Sequence, residues 1–206
     1  LKAVRIHRHG DRSVLQCDEI ARPSCKTDKV ILEVKSASIN HLDIWVQGGL
    51  PALSIPLPLI MGSDASGIIA EVGEDVSDWE VGDEVVVQPG TFCGECEFCF
   101  SSKENYCYHY GILGETEDGV QAEYVSLSPE NIYSKATHLS FEEAASMPLV
   151  FMTAYQMLIA RAKLQAAETV LVYGGSSGVG SAAIQIAKDA GATVIATVGS
   201  ENKFQH

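Results

Sequence analysis

Four cysteines fall within fifteen residues, as Cys93-x2-Cys96-x2-Cys99-x7-Cys107, and no other feature of the chain limits its folding so sharply. Two-residue gaps let neighbouring sulfurs converge on one point, and the seven-residue gap closes a fourth corner. Gly94 leaves the backbone free to bend around that point. Four thiolates with no open position describe a structural zinc site that staples a loop, since a catalytic ion must leave room for water or substrate. Free or disulfide-bonded cysteines are the plain alternative, and iron–sulfur clusters follow other spacings. Cys17 and Cys25 stand apart and read as ordinary thiols.

The rest of the chain decides how to read that cluster. Its 206 residues are 46% hydrophobic and 20% charged, which is globular composition. The longest apolar run, Pro56 to Met61, is far too short to span a bilayer, and no charged-then-apolar leader opens the chain. A soluble, cytoplasmic protein is therefore expected, where clustered cysteines are metal ligands before they are bridges. The net charge of −13 argues against nucleic acid or an anionic membrane as partner; a small-molecule substrate is expected, and the charge says little about which one.

Up to about residue 135 the pattern is β-rich. Lys29–Ile39 sets Val30, Leu32 and Val34 at period two. Asn40 can cap a short helix through Trp45 that stops at Gly48-Gly49, and Pro51, Pro56 and Pro58 mark an irregular connection across 48–58. Ser66–Val72, Glu84–Val87 and Ala122–Leu127 read as further strands, and the set suggests a barrel-like β domain.

From Ser140 the character changes. Ser140-Phe141-Glu142-Glu143 is a capping box. Pro148 interrupts the helix it starts, and Val150–Leu164 continues as a second one. Thr169–Tyr173, a Gly/Ser loop, a helix ending near Ala190-Gly191 and the strand Thr193–Val198 make one βαβ unit. Another helix is expected to begin at Ser200-Glu201-Asn202-Lys203. Val170-Leu171-Val172 is apolar on both faces and belongs inside a larger parallel sheet, so the chain is expected to be part of a longer protein. The expected domains are 1–139, with a zinc lobe at about 90–113, and 140–206.

Gly174-Gly175-Ser176-Ser177-Gly178-Val179-Gly180 lies between the first strand of that unit and its helix. Glycines let the backbone approach a pyrophosphate, and the helix N-terminus offers unpaired N–H groups. The run is not a strict Gly-x-Gly-x-x-Gly, because Ser176 and Ser177 fall where a middle glycine could sit. Its place in a βαβ unit carries the assignment. At the end of the second strand, Gly199-Ser200 replaces the carboxylate that would bind an adenosine ribose. Ser200 and Lys203 could instead donate to a 2′-phosphate, so NADP(H) is expected over NAD(H).

With the cysteine lobe ahead of this loop, the chain resembles the medium-chain dehydrogenase/reductase superfamily, the zinc alcohol dehydrogenase and quinone oxidoreductase group. Gly62-Ser63-Asp64-Ala65-Ser66-Gly67, Glu71-Val72-Gly73, Val81-Gly82-Asp83-Glu84-Val85 and Glu142-Glu143-Ala144-Ala145 carry the likeness as well. The resemblance implies a GroES-like β-barrel domain followed by the first half of a Rossmann domain, an active site in the cleft between them, and a homodimer or homotetramer. A fragment lacking half its nucleotide domain would be inactive.

The departures bear on mechanism. The resemblance assigns a catalytic zinc to a Cys, a His and a later Cys, and those positions match Asn40, Ser63 and the neighbourhood of Leu149. These residues are poor ligands for such an ion. A substitute set of His41, Asp43 and Asp64 is conceivable. Oxidising an unactivated alcohol needs a Lewis acid, whereas an enone, quinone or activated carbonyl is already electrophilic. The expected function is thus NAD(P)H-dependent reduction of such acceptors without catalytic zinc. The alternatives are an alcohol dehydrogenase with an unorthodox metal site and a non-catalytic nucleotide binder. Asn40, Asp43, Ser63, Asp64 and Thr153 are the candidate catalytic residues, the last matching a family Thr near the nicotinamide. Asn40 could equally be only a helix cap, Asp43 or Asp64 an ion-pair partner, and Ser63 filler.

Overall fold

The structure is a computed structural model that describes residues 1–51 and 53–203. Ala52, within the connection 48–58, and the last three residues of the expected domain 140–206 lie outside the described residues. The strands and helices in chain order are β1 (Lys2–Ile6), β2 (Leu15–Glu19), β3 (Val30–Ala37), α1 (His41–Gly48), β4 (Leu59–Ile60), β5 (Ala65–Val72), β6 (Glu84–Val87) and β7 (Gly90–Thr91). They continue with α2 (Glu97–Phe100), β8 (Gly111–Ile112), β9 (Tyr124–Leu127), β10 (Ile132–Ser134), α3 (Phe141–Ala145), α4 (Pro148–Tyr155), β11 (Thr169–Val172), α5 (Gly178–Asp189) and β12 (Thr193–Ala196). The chain forms two compact units, Leu1–Pro148 and Leu149–His206.

In the first unit an antiparallel sheet runs β10-β6-β5-β3-β9, beside a smaller one in the order β2-β1-β4. Val30, Leu32 and Val34 face one core with Ile69, Val85, Val87 and Val125, as their period of two requires. Ile31, on the opposite face, is also fully buried, and α3 packs against β3 and β5. The β domain is present, but its sheets do not close into the expected barrel. Between β1 and β9 the ladder shrinks to an isolated bridge, Ala3 to Ala122. There the N–H groups of Val120 and Gln121 go instead to the carbonyls of Gly62 and Met61, at 2.9 Å each.

The capping box forms as its residues require. The N–H of Glu143 donates to Ser140 Oγ at 3.1 Å, and the N–H of Ser140 to Glu143 Oε2 at 2.8 Å. Ser66 Oγ donates to the Phe141 carbonyl at 2.6 Å, which ties α3 to β5. The boundary between units therefore falls after Pro148 and not before Ser140. Pro148 opens α4, the position where a missing N–H costs nothing.

The second unit is a βαβ unit in which β11 and β12 pair in parallel, Thr169 with Thr193 through Val172 with Ala196. Ala182, Ala183, Ala154 and Val172 are its buried centre. Leu171 and Ile195, paired in register, are 50% and 54% exposed, so one face of this sheet is uncovered. The expected helix over 150–164 is divided. Beyond α4 the turn widens to a π-helix, Gln156–Arg161, and the left-handed Lys163 (φ 55°) follows its end. Of the helix expected to begin at Ser200, the described residues show a 3-10 turn, Glu201–Lys203. Among the described residues no helix is long and apolar enough to cross a membrane.

Candidate functional site

The cysteine lobe stands on β7 and β8, whose pairing of Gly90 with Ile112 and Thr91 with Gly111 makes the chain leave and return at one place. Cys96 immediately precedes α2, Cys99 lies within it, and a 3-10 turn at Glu104–Tyr106 brings Cys107 back. The Sγ atoms of Cys96 and Cys99 are 3.5 Å apart, as are those of Cys93 and Cys107; Cys93 and Cys99 are separated by 4.0 Å. All four sulfurs lie within 4.8 Å of one another. A tetrahedral ion with Zn–S bonds of about 2.3 Å would hold its sulfurs about 3.8 Å apart. The cage fits such an ion with little movement of the chain. Among the described residues this is the one group of three or more His, Cys, Asp or Glu side chains placed to hold a metal.

The thiols are already poised for ionisation in part. The N–H groups of Cys93 and His109 both donate to Cys107 Sγ at 3.3 Å and hold its thiol below the ordinary value. Cys96 is drawn down to about 6, first by the N–H of Cys99. Cys99 is pushed up to about 12 by burial and by the neighbouring Cys96 thiol. Thiolates this close repel one another, so the cluster shares protons until a cation sits among them.

A second polar group is buried in the same unit. Asn40 precedes α1, and its N–H donates to Asp43 Oδ2 at 2.8 Å. Its side-chain Nδ2 donates to Asp64 Oδ2 at 2.9 Å, and Ser38 Oγ reaches the same oxygen at 3.5 Å. Asn40, Asp43, Ser63 and Asp64 are all buried. Among the described residues, Asp43 Oδ1 and Ser63 Oγ have no hydrogen-bond partner. Burial pushes the Asp43 carboxyl above its ordinary value, against the pull of the Asn40 N–H.

The segment that carries Ser63 and Asp64 is clasped by the loop before β9. Gly119 N–H donates to the Ile60 carbonyl at 2.8 Å, and a Cβ at Gly119 would run into the Gly62 carbonyl oxygen. His41 does not join Asp43 and Asp64. It is exposed, its ring set edge-on to Trp45 at 4.9 Å, and residues two apart on α1 face different ways.

In the second unit, Ser177 caps α5, its Oγ accepting from the Gly180 N–H at 3.0 Å. That explains the serine where a glycine could stand. Gly180 must remain bare, because a Cβ there would meet the Gly174 carbonyl oxygen. Thr197, which the sequence pattern did not single out, holds the loop from below: its carbonyl accepts from the Gly175 N–H at 2.8 Å and its Oγ1 from the Gly174 N–H at 3.3 Å. Its signal was a hydroxyl directly after the second strand. Gly174, Gly175, Ser176, Ser177, Gly178, Val179 and Gly180 thus form one turn into a helix start, whose first amides lack intrahelical partners. Ser200 and Lys203 are exposed beyond β12. Thr153 lies on α4, its Oγ1 donating to the Leu149 carbonyl at 2.7 Å.

A family model described as the alcohol dehydrogenase GroES-like domain matches residues 26–137. Crotonyl-CoA carboxylase/reductase of Cereibacter sphaeroides is 36% identical over 209 residues, covering 98% of this chain and 49% of that protein. Quinone oxidoreductase of Homo sapiens is 31% identical over 202 residues, covering 98% of this chain and 54% of that protein. The crystal structure of an NAD-dependent alcohol dehydrogenase superposes with a TM-score of 0.95 at 44% identity, over 100% of this chain and 60% of its own. The chain spans about half the length of the curated relatives it matches.

Proposed function

The chain belongs to the alcohol dehydrogenase GroES-like family, within the medium-chain dehydrogenase/reductase superfamily, and from that premise we propose that it is part of a nicotinamide-dependent reductase of enones, quinones or activated carbonyls. It carries one structural zinc at Cys93, Cys96, Cys99 and Cys107 and no catalytic zinc.

One observation carries this reading. Where the superfamily's zinc alcohol dehydrogenases place a ligating thiolate, Asn40 presents an amide N–H that donates to buried Asp64 at 2.9 Å. A hydrogen-bond donor cannot serve as a lone-pair donor to a metal from the same atom. Ser63 and Leu149 supply neither imidazole nor thiolate. The same amide retains a second N–H, suited to a substrate carbonyl as negative charge develops on its oxygen. Asp43, Ser63 and Asp64 complete this polar group. Asp64 fixes the Asn40 amide, and the buried Ser63 Oγ and Asp43 Oδ1, without partners among the described residues, are suited to an ordered water.

The glycine loop from Gly174 to Gly180 is the proposed seat of the dinucleotide phosphates, with Thr153 as a candidate contact to the nicotinamide. The bound cofactor supplies the hydride. Ser200 and Lys203 favour a 2′-phosphate, hence NADP(H). The structural relative bears NAD dependence in its name, so this preference rests on those two exposed side chains alone.

The test is a panel of quinones, enones, aldehydes and primary alcohols with NADPH and NADH on the full-length protein. Turnover of the electrophilic acceptors with tighter binding of NADPH is expected. Turnover confined to alcohols would support a metal-assisted dehydrogenase, and cofactor binding without turnover a non-catalytic member. Tighter binding of NADH would overturn the cofactor assignment.

A further inference from the structure

We propose that the cysteine lobe is a redox-releasable staple, in which hydrogen peroxide closes Cys96 to Cys99 and Cys93 to Cys107 and so expels the zinc. This inference rests on the reading of the lobe as a zinc site. Its basis is how the four sulfurs divide. Two sulfur–sulfur contacts of 3.5 Å, Cys96 to Cys99 and Cys93 to Cys107, share no sulfur, so together they use all four. A competing contact, Cys93 to Cys99, is longer at 4.0 Å. Closing each short pair to a bond of about 2.05 Å needs only a small shift of side chains. Three of the four cysteines are partly exposed, and the lobe surface around them is open, with Phe100 78% and Tyr108 68% exposed.

The chemistry balances without any change in the ion. One thiolate attacks a peroxide oxygen; a sulfur–oxygen bond forms, the oxygen–oxygen bond breaks and hydroxide leaves. The paired thiolate then attacks that sulfur; the disulfide forms and a second hydroxide leaves. Two thiolates have given up two electrons and one peroxide has accepted them. A second peroxide closes the second pair, and zinc departs as the divalent ion because disulfide sulfur is a poor ligand. The β7–β8 pairing at the base of the lobe involves no cysteine, so it keeps the chain ends together for re-forming the site after reduction.

The experiment treats zinc-loaded full-length protein with hydrogen peroxide, follows zinc with a chromogenic chelator and maps disulfides by mass spectrometry of unreduced peptides. The expected result is loss of the lobe's zinc in step with the pairs Cys96–Cys99 and Cys93–Cys107, and recovery of the zinc after a dithiol reductant and added zinc. Zinc that stays bound while Cys17 and Cys25 oxidise would overturn the inference. So would zinc lost with a Cys93–Cys99 bridge or with sulfinic acids in place of bridges. A protein with no zinc before peroxide would overturn the zinc reading itself, a failure seen before the oxidation begins.

Discussion

Asp43 is the residue whose chemistry is furthest from ordinary in the buried polar group. One carboxylate oxygen caps α1 through the Asn40 N–H, and the other has no partner among the described residues. Burial raises its folded value above the unfolded one, so the folded state holds the proton more tightly. Stability from this group is thus gained as pH falls through the folded value and is lost on ionisation above it. Asp43→Asn keeps an acceptor for the cap and removes the charge. Urea denaturation should show wild type gaining on Asp43→Asn as pH falls from neutral toward the ordinary aspartate value of about 4; an unchanging difference would contradict this account. Gly119 sets a second residue-scale expectation. Its missing Cβ leaves room for the Gly62 carbonyl, so Gly119→Ala should cost about 3 kcal/mol in the same assay, because backbone lies on the far side and cannot yield cheaply.

At the scale of elements, α3 depends on its cap and on Ser66. Ser140→Ala removes the acceptor of the Glu143 N–H and should lower stability by about 1 kcal/mol, read from the urea midpoint. This cap was legible in the sequence because four consecutive residues state it. β6 was legible too, and β3 and β5 nearly so, since apolar alternation marks β3 and short apolar runs beside turn signals mark β5 and β6. The strands β1 and β2 were not, because Leu15–Glu19 is mostly exposed and has no apolar alternation to read. Nor were β4, β7 and β8, which are two residues each and exist only through their partners. The site divides the same way. The cysteine cage is local and was read whole, whereas the Asn40–Asp64 bond spans 24 positions and Thr197 acts on a loop 23 residues away. Such contacts belong to tertiary structure, which spacing does not encode.

For the whole molecule, the two units divide the proposed work. The first holds the four-cysteine cage and the buried amide, and the second holds the glycine loop proposed for the dinucleotide phosphates. The central claim is that the metal and the reaction are separate. The lobe keeps four ligands for one ion, while the positions that would bind a reactive ion carry an amide, a hydroxyl and an aliphatic side chain. The most direct test is the number of zinc ions per chain in the purified full-length protein, measured by elemental mass spectrometry against protein concentration. One ion per chain is the predicted result, lost together with mutation of the lobe cysteines. Two ions per chain, the second surviving that mutation, would contradict it.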